Sequence, residues 1–300
     1  MIRAGRRRMC HAPDMGNSDD SWHRSIIDGV RVRPGTTRID ALDTAGTPGF
    51  DGDKALGERL LAERGKVLSD LQEKLFANGR TGDTRSVLLV LQGMDTSGKG
   101  GMVRHVIGQV DPQGVDHHAF GVPTPEEKRH HFLWRVNKAL PRSGQLGVFD
   151  RSHYEDVLVA RVRSLVPESV WQRRYDEINS FERQVLRSGT TLVKVAMFVS
   201  LDEQKKRLTE RLERRDKYWK YDPSDVTERA LWPQYQQAYQ DMIDRTSTDD
   251  APWHVVPADR KWYSRLAVTE LLVEALERLD LDWPEPRFDV EAEKARLAAS

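Results

Sequence analysis

The feature that most constrains the fold of this chain is an apolar run that ends in a glycine-rich turn. Residues 86–92 read SVLLVLQ, a short β-rich stretch with the composition of a buried strand. The run leads directly into GMDTSGKG at residues 93–100, where two glycines bracket four residues before a lysine. A helix is predicted from about residue 100 to 109. The order of strand, glycine-rich turn and helix is the context in which a phosphate-binding loop is expected.

The residue types in this turn suit the binding of an anion. Glycines let the backbone curl so that its N–H groups point inward, and the N-terminus of the following helix adds partial positive charge. Lys99 would place a full charge on the bound phosphates, although the same residues could form a tight turn with a surface lysine. The predicted phosphate-binding residues of the loop are Gly93, Met94, Thr96, Ser97, Gly98, Gly100 and Gly101.

Two aspartates are candidates for holding magnesium, because the hydroxyl residue that usually follows the loop lysine is here Gly100. Asp95 lies inside the loop, where a carboxylate beside phosphates is tolerated only with a cation between them. Asp150 ends the apolar run LGVFD, as expected where a neighbouring strand delivers a metal ligand to the sheet edge, although a helix-capping aspartate is the alternative. Arg151 follows it and suits a phosphate oxygen, since a guanidinium binds such oxygens bidentately.

Strands that alternate with helices predict an α/β fold with a parallel sheet covered on both faces. The further predicted strands are residues 117–122, 146–150, 191–200 and 254–257. The predicted helices are an amphipathic helix over residues 56–75 and stretches at 125–140, 154–188 with a break near Pro167, 202–213, 227–245 and 260–279. The sheet is therefore expected to have five strands.

Length and charge bound the organisation of the chain. With 300 residues it is expected to form one main domain, over residues 25–283, between a disordered tail at 1–24 and a C-terminal tail at 284–300. The chain contains 47 basic residues (Lys and Arg) and 47 acidic residues (Asp and Glu), so its formal net charge is zero. This balance argues against a protein that as a whole coats nucleic acid or an anionic membrane. The single cysteine and the absence of a long apolar run predict a cytoplasmic protein without a membrane segment.

A basic run follows the fourth predicted strand. Residues 205–220 contain eight basic and three acidic residues, a local excess of five. Such a run is usually a solvated helix face. In an enzyme with a phosphate loop it is also where a mobile lid, here about 205–226, closes over the transferring group and meets a long polyanion.

Two other sets of residues receive structural interpretations. The adjacent pairs His117 with His118 and His130 with His131 are predicted to lie on the surface rather than to carry a phosphoryl group or bind a metal. Trp253, Trp262 and Tyr263 could stack on a base, but packing in the core is favoured.

Several stretches of the chain resemble the polyphosphate kinase 2 family, the polyphosphate-dependent nucleotide phosphotransferases. They run in family order from about residue 28 to 283 and include LQGMDTSGKGG, FLWRVNKALP, FDRSHYEDVLVARV, RYDEINSFE, RLERRDKYWKY, RALWPQYQQAY and RTSTDDAPWHVVPADRKWYSRL. The resemblance implies a three-layer α/β/α P-loop kinase fold with a helical lid. It also implies a homo-oligomer, a dimer or tetramer, that binds polyphosphate in a basic channel and uses Mg²⁺, with Mn²⁺ as a substitute.

The resemblance assigns roles to individual residues. The implied catalytic residues are Asp95, Lys99, Asp150, Arg151 and Arg211, of which Asp95 and Asp150 bind the metal. The implied channel and lid residues are Arg104, Arg215, Lys217 and Lys220, and Arg215 stands where many relatives have proline. Residues 153–156 read HYED and resemble the subgroup that accepts both mono- and diphosphates, which implies Tyr154 and Glu155 as contacts for the acceptor nucleotide.

The expected reaction is a reversible, Mg²⁺-dependent transfer of a phosphoryl group from polyphosphate to AMP or ADP, or to GMP or GDP. Two alternatives stay open. An ATP-dependent nucleoside or nucleotide kinase would use the same loop and lid, and Gly100 counts against it. A non-catalytic sensor of polyphosphate or nucleotides would have no need of the two aspartates together with Lys99.

Overall fold

The computed structural model describes residues 21–300, so residues 1–20 of the tail predicted at 1–24 lie outside the described residues. Five parallel strands form one sheet in the order β2-β3-β1-β4-β5. The strands are β1 (Ser86–Gly93), β2 (Val115–Ala119), β3 (Leu146–Asp150), β4 (Thr190–Phe198) and β5 (Trp253–Pro257). The predicted α/β class and the five-stranded parallel sheet are confirmed.

Helices connect the strands and cover both faces of the sheet. They are α1 (Ser21–Val30), α2 (Lys54–Thr81), α3 (Lys99–His105), α4 (Trp134–Lys138), α5 (Val159–Val162), α6 (Glu168–Arg187), α7 (Leu201–Glu213), α8 (Ser224–Ala230), α9 (Trp232–Thr246), α10 (Lys261–Glu277) and α11 (Val290–Ala298). Short 3-10 turns include Glu127–Arg129, His153–Asp156 and Arg215–Lys220.

The alternation of side chains along β1 shows the three layers. Val87, Leu89 and Leu91 pack into one apolar cluster with residues of α1, α2 and α10, while Leu88 and Val90 pack into a second cluster with residues of α6 and α9. Successive side chains of a strand point to opposite faces, so a strand buried on both sides is apolar throughout. The fold is the expected three-layer α/β/α arrangement.

Helix α2 shows how local sequence sets an element's bounds. Asp53 caps its N-terminus, because the carboxylate accepts a hydrogen bond of 2.8 Å from the backbone N–H of Leu56. Gly82 ends the helix in the left-handed region, at φ 111°, which glycine adopts at little cost. The apolar side of this long helix then packs on α10.

Three predicted boundaries are wrong for physical reasons. The predicted disordered tail extended to residue 24, but α1 begins at Ser21 and buries Ile26 and Val30 against the core. The predicted helix at 125–140 is interrupted, since only the turn Glu127–Arg129 and the short α4 are helical. The strand predicted as buried at 117–122 is the exposed edge strand β2, because only β3 borders it.

Sheet order brings the glycine-rich loop and the second aspartate together. In the register, Leu91 of β1 lies opposite Asp150 of β3, and both strands end at the same edge. Ligands of open parallel sheets bind at the carboxyl ends of the strands. Within residues 21–300, no helix is both long and apolar enough to cross a membrane.

Candidate active site

The loop between β1 and α3 has the backbone of a phosphate-binding loop. Gly93 has φ 155° and Gly98 has φ 111°, and a Cβ at Gly93 would lie 2.7 Å from the carbonyl oxygen of Met197. Thr96, which is not a glycine, also has a positive φ of 66°. Such a conformation costs about 1–3 kcal/mol and persists only where the surroundings enforce it. The loop is therefore wound tightly and held from outside.

Lys99 is buried at the start of α3, and no carboxylate lies within 4.0 Å of its Nζ among residues 21–300. Its side chain is 8% exposed, and its Nζ donates to the carbonyl oxygens of Gly93 at 2.6 Å and Met94 at 3.3 Å. Burial lowers the pKa of Lys99, and the charge of Asp95 offsets that only in part. An ammonium has three donors, so one donor and the whole charge remain available to a phosphate oxygen.

The two predicted metal ligands face the same cleft. Arg151 donates to Asp95 at 2.8 Å between Nη2 and Oδ1, and both side chains are partly exposed. Asp150 lines the cleft, and no ion pair within 4.0 Å involves its carboxylate among residues 21–300. Mg²⁺ is usually held by one or two carboxylates together with waters and substrate phosphates. The carboxylates of Asp95 and Asp150 therefore fit a magnesium ion that is completed by substrate.

A cleft with a volume of about 960 Å³ opens over the loop. It brings together most of the predicted site residues, namely Asp95, Thr96, Ser97, Gly98, Lys99, Gly100, Gly101, Arg104, Asp150, Arg151, Arg211, Lys217 and Lys220. Gly93 and Met94 lie behind the loop lysine as its hydrogen-bond acceptors. The exposed Arg215 is not part of the lining.

The structure places the two predicted acceptor residues differently. Tyr154 has no exposed surface, and its hydroxyl donates to Glu182 Oε1 at 2.7 Å beneath the site. The prediction of Tyr154 as a nucleotide contact is therefore wrong, because its ring cannot reach the cleft. Burial raises the pKa of the Glu155 carboxyl, while the nearby charges of Arg151 and Lys99 lower it. Glu155 thus lies close to the loop, and its role stays a prediction.

Three of the eight basic residues of the run 205–220 are paired with carboxylates of the lid itself. Arg211 donates to Asp225 at 3.1 Å, and Lys217 donates to Glu210 at 3.2 Å. Arg214 lies 2.8 Å from a carboxylate oxygen of Asp216. Glu210 and Asp216 are already subtracted in the local excess of five, so of these three partners only Asp225, which lies beyond residue 220, lowers that excess further.

A second basic wall was not found from the sequence. Lys261 and Arg265, one turn apart at the start of α10, line the cleft together with Arg104, and none of the three has a carboxylate within 4.0 Å among the described residues. Partial burial lowers the pKa of Lys261 and of Arg265. Two basic residues four apart, directly after a strand that ends at the ligand edge, were the signal that could have identified this wall.

The surface location predicted for the histidines and the core packing predicted for the aromatic residues are confirmed. Both histidine pairs are exposed. Trp253 and Tyr263 have no exposed surface and Trp262 is 9% exposed, so all three pack the core.

Comparison with known proteins agrees with this site. The family model described as polyphosphate kinase 2 matches residues 52–283. The chain is 46% identical over 257 residues to the AMP/ADP-polyphosphate phosphotransferase of Meiothermus ruber, which covers 85% of this chain and 95% of that protein. It is 40% identical over 238 residues to the ADP-polyphosphate phosphotransferase of Rhodopseudomonas palustris, covering 75% of this chain and 81% of that one.

A solved structure shows the same fold at higher identity. The crystal structure of polyphosphate kinase 2 from Arthrobacter aurescens TC1 superposes with a TM-score of 0.89 at 51% identity, over 92% of this chain and 97% of that chain. The likeness covers the sheet, the loop and the lid together. This chain belongs to the polyphosphate kinase 2 family.

Proposed function

We propose that this protein transfers a phosphoryl group from inorganic polyphosphate to a nucleoside mono- or diphosphate, reversibly and with magnesium. The observation that carries the proposal is the buried charge of Lys99, which has backbone carbonyls but no carboxylate as partners and opens into a cleft with a basic wall. The relatives named above act on AMP or ADP with polyphosphate, which supports the same substrates here.

The residues of the site act by position and charge, because phosphoryl transfer needs little covalent chemistry from the protein. Lys99 and the loop N–H groups neutralise the oxygens of the transferring group. Arg151 is paired with Asp95 in the absence of substrate, and its guanidinium is placed to exchange that carboxylate for phosphate oxygens. An oxygen of the acceptor phosphate attacks the terminal phosphorus of the donor, the bridging P–O bond to the rest of the polyphosphate breaks, and the shortened polyphosphate leaves with the bridging oxygen. No side-chain nucleophile is used.

Asp150 and Asp95 would hold the magnesium ion, with Mn²⁺ as a substitute. The ion, when bound, neutralises charge between donor and acceptor phosphates. Asp150→Asn is expected to lower turnover by about 10²-fold or more, since charge stabilisation at the transferring group is a large part of such catalysis. Its melting temperature should stay near that of the wild type, because Asp150 makes no ion pair within 4.0 Å in the part of the chain described here.

The donor is proposed to lie along the wall formed by Arg104, Lys261 and Arg265, with Lys220 on the lid side. Glu155 is proposed to act on the acceptor nucleotide indirectly, through the nearby charge of Arg151. The homo-oligomer that the family resemblance implies is part of the same proposal, and analytical ultracentrifugation would test it.

One turnover assay separates this function from its rivals. AMP and ADP are each incubated with polyphosphate alone, with ATP alone and with neither, and the nucleotide products are quantified. The proposal predicts product with polyphosphate. Product with ATP alone would favour an ATP-dependent kinase, and binding of polyphosphate without product would favour a sensor.

A further inference from the structure

Arg207 of α7 lines the cleft but is fully occupied by protein acceptors. It is 6% exposed, and its Nε donates to Glu203 at 2.8 Å. Nη1 donates to the carbonyl oxygens of Thr96 at 2.9 Å and Ser97 at 3.4 Å. Nη2 donates to the carbonyl oxygens of Ala258 at 2.6 Å and Asp259 at 3.1 Å. A guanidinium has five N–H donors, so none is left for a phosphate.

A second side chain of the same helix holds the same loop. Gln204, three residues earlier and therefore on the same face of α7, donates to the carbonyl oxygen of Asp95 at 3.0 Å. Its own amide oxygen accepts from Arg229 at 2.8 Å, which fixes the orientation of the amide. The backbone carbonyls of the three consecutive residues 95–97 are thus held by two side chains from outside the loop.

Because the peptide group is planar, the direction of a fixed carbonyl also determines the direction of the next N–H group. In a trans peptide the C=O of one residue and the N–H of the next point in opposite directions. Fixing the carbonyls of Asp95 and Ser97 toward α7 therefore turns the N–H groups of Thr96 and Gly98 away from it. The positive φ of Thr96 is a conformation that such outside contacts have to enforce.

We propose that Arg207 and Gln204 are positioning residues that hold the outer carbonyls of the phosphate loop and so keep its N–H groups aimed at substrate phosphate. This inference rests on the proposed function. The same helix continues into the lid, where Arg211 pairs with Asp225, and its N-terminus is tied to Asp259 through the Ser200 N–H at 2.9 Å. Helix α7 is therefore the fixed base on which the lid is mounted.

Arg207→Lys is the sharpest test, because it keeps the charge but cannot span the carbonyls on both sides. Misplacement of a reacting group by about 1 Å costs about 10²-fold, so kcat with polyphosphate should fall by about that factor. The stabilisation that tripolyphosphate gives against thermal unfolding should fall with it. The matched control is Arg64→Lys, at a partly buried arginine paired with Glu270 away from the cleft, which should lower the melting temperature without changing kcat.

Two further variants protect the test against misfolding. Arg207→Ala should regain part of its turnover with millimolar guanidinium chloride but not with equal sodium chloride, whereas guanidinium chloride should leave the turnover of Arg64→Ala unchanged. Gln204→Met removes the bond to Asp95, together with the bond that Gln204 accepts from Arg229, and should lower kcat by about tenfold, the worth of one net hydrogen bond to the loop. If the Arg207 variants do not fold, Gln204→Met decides.

The proposal is overturned if Arg207→Lys or Gln204→Met retains both wild-type kcat and the wild-type response to tripolyphosphate. It is also overturned if the Arg207 variants lose turnover only in step with their folded fraction, as the Arg64 control would. Failure of the wild type to use polyphosphate would instead defeat the proposed function, so the two failures are distinguishable.

Discussion

Two lysines are buried among residues 21–300, Lys194 in the middle of β4 and Lys99 at the start of α3, and only Lys194 has a carboxylate within 4.0 Å. Lys194 of β4 has no exposed surface, and its Nζ donates to Glu182 at 2.7 Å, to the carbonyl oxygen of Thr246 at 2.7 Å and to the hydroxyl of Tyr154 at 3.2 Å. Lys99 has two backbone carbonyls and no carboxylate. All three N–H donors of the Lys194 ammonium are bonded to protein acceptors, whereas those of Lys99 are not.

The difference separates a structural charge from a functional one. Burial lowers the pKa of both lysines. Burial opposes ionisation of Glu182 as well, but the charge of Lys194 and the hydrogen bond from His153 lower the pKa of that carboxyl to about 2. A buried charge that the protein has not compensated is costly, and it persists where a ligand completes it. Lys99 is in that position, and phosphate is the ligand that its loop fits.

Replacing the uncompensated lysine gives the largest expected effect. Lys99→Met removes a full charge from the transferring phosphoryl group, and turnover should fall by about 10³-fold or more. The melting temperature should stay level or rise, because a buried charge without a counter-ion is lost. Initial rates and thermal unfolding on the same preparation measure both. Wild-type turnover in Lys99→Met would contradict the functional role given to the charge of Lys99.

Replacing the compensated lysine should do the reverse. Lys194→Met leaves Glu182 charged and buried, which costs about 3–5 kcal/mol of unfolding free energy. Turnover per folded molecule should change little, since Lys194 does not line the cleft. The double variant Lys194→Met with Glu182→Leu removes both charges and should recover most of the stability. Denaturant titration of the three proteins tests this, and a fully stable Lys194→Met would contradict it.

The compensated region should also be the acid-sensitive one. His254 donates from its Nδ1–H to the carbonyl oxygen of Lys194 at 3.1 Å, and burial lowers its pKa from 6.5 to about 4. The folded protein therefore keeps His254 neutral while the unfolded chain protonates it. Stability is complete above pH 6.5 and falls as the pH drops to about 4, by about 3 kcal/mol.

A matched variant isolates this histidine. His254→Gln should flatten the stability profile between about pH 4 and 6.5, leaving the later fall that protonation of Glu182 produces below about pH 4.5 as the pH approaches 2. The measurement is the free energy of unfolding against pH for both proteins. An unchanged slope in the variant would show that His254 does not set the acid limit.

The smallest expected effect distinguishes the two basic surfaces of the cleft. Lys261→Gln with Arg265→Gln should raise KM for polyphosphate by about tenfold and flatten its salt dependence, because unpaired cations release counterions on binding a polyanion. Lys217→Gln should change KM by about twofold or less, since Glu210 already partners Lys217. Initial rates at several salt concentrations measure both variants. If Lys217→Gln raised KM for polyphosphate more than the double variant does, the polyphosphate channel would run along the lid instead.

Local patterns in the sequence were enough for the parallel sheet and the phosphate loop. The loop residues and Lys99 are consecutive, and Asp150 ends an apolar run, so both could be recognised without a tertiary structure. Their meeting then followed from the rule that parallel strands end at one edge.

The features of the site that could not be predicted from the sequence depend on partners that are distant in the chain or on the direction of a side chain. Tyr154 adjoins Glu155, yet in a 3-10 turn neighbouring side chains point to different sides, and Tyr154 points into the core. Arg211 pairs with Asp225, 14 residues later, and no local pattern in the sequence indicates this pair. Arg207 belongs to the basic run 205–220, but its guanidinium donates to the carbonyl oxygens of the loop, which lies about 110 residues earlier in the chain.

The most direct test of the comparison is the pKa of the two lysines with and without a phosphate ligand. Carbon-13 NMR of the ¹³Cε resonances, assigned with the Lys99→Met and Lys194→Met variants, reports each titration. Tripolyphosphate with magnesium should raise the pKa of Lys99, because it supplies the missing negative charge, and should leave that of Lys194 unchanged. A pKa of Lys99 that does not move at saturating tripolyphosphate would contradict the assignment of its charge to the donor phosphate.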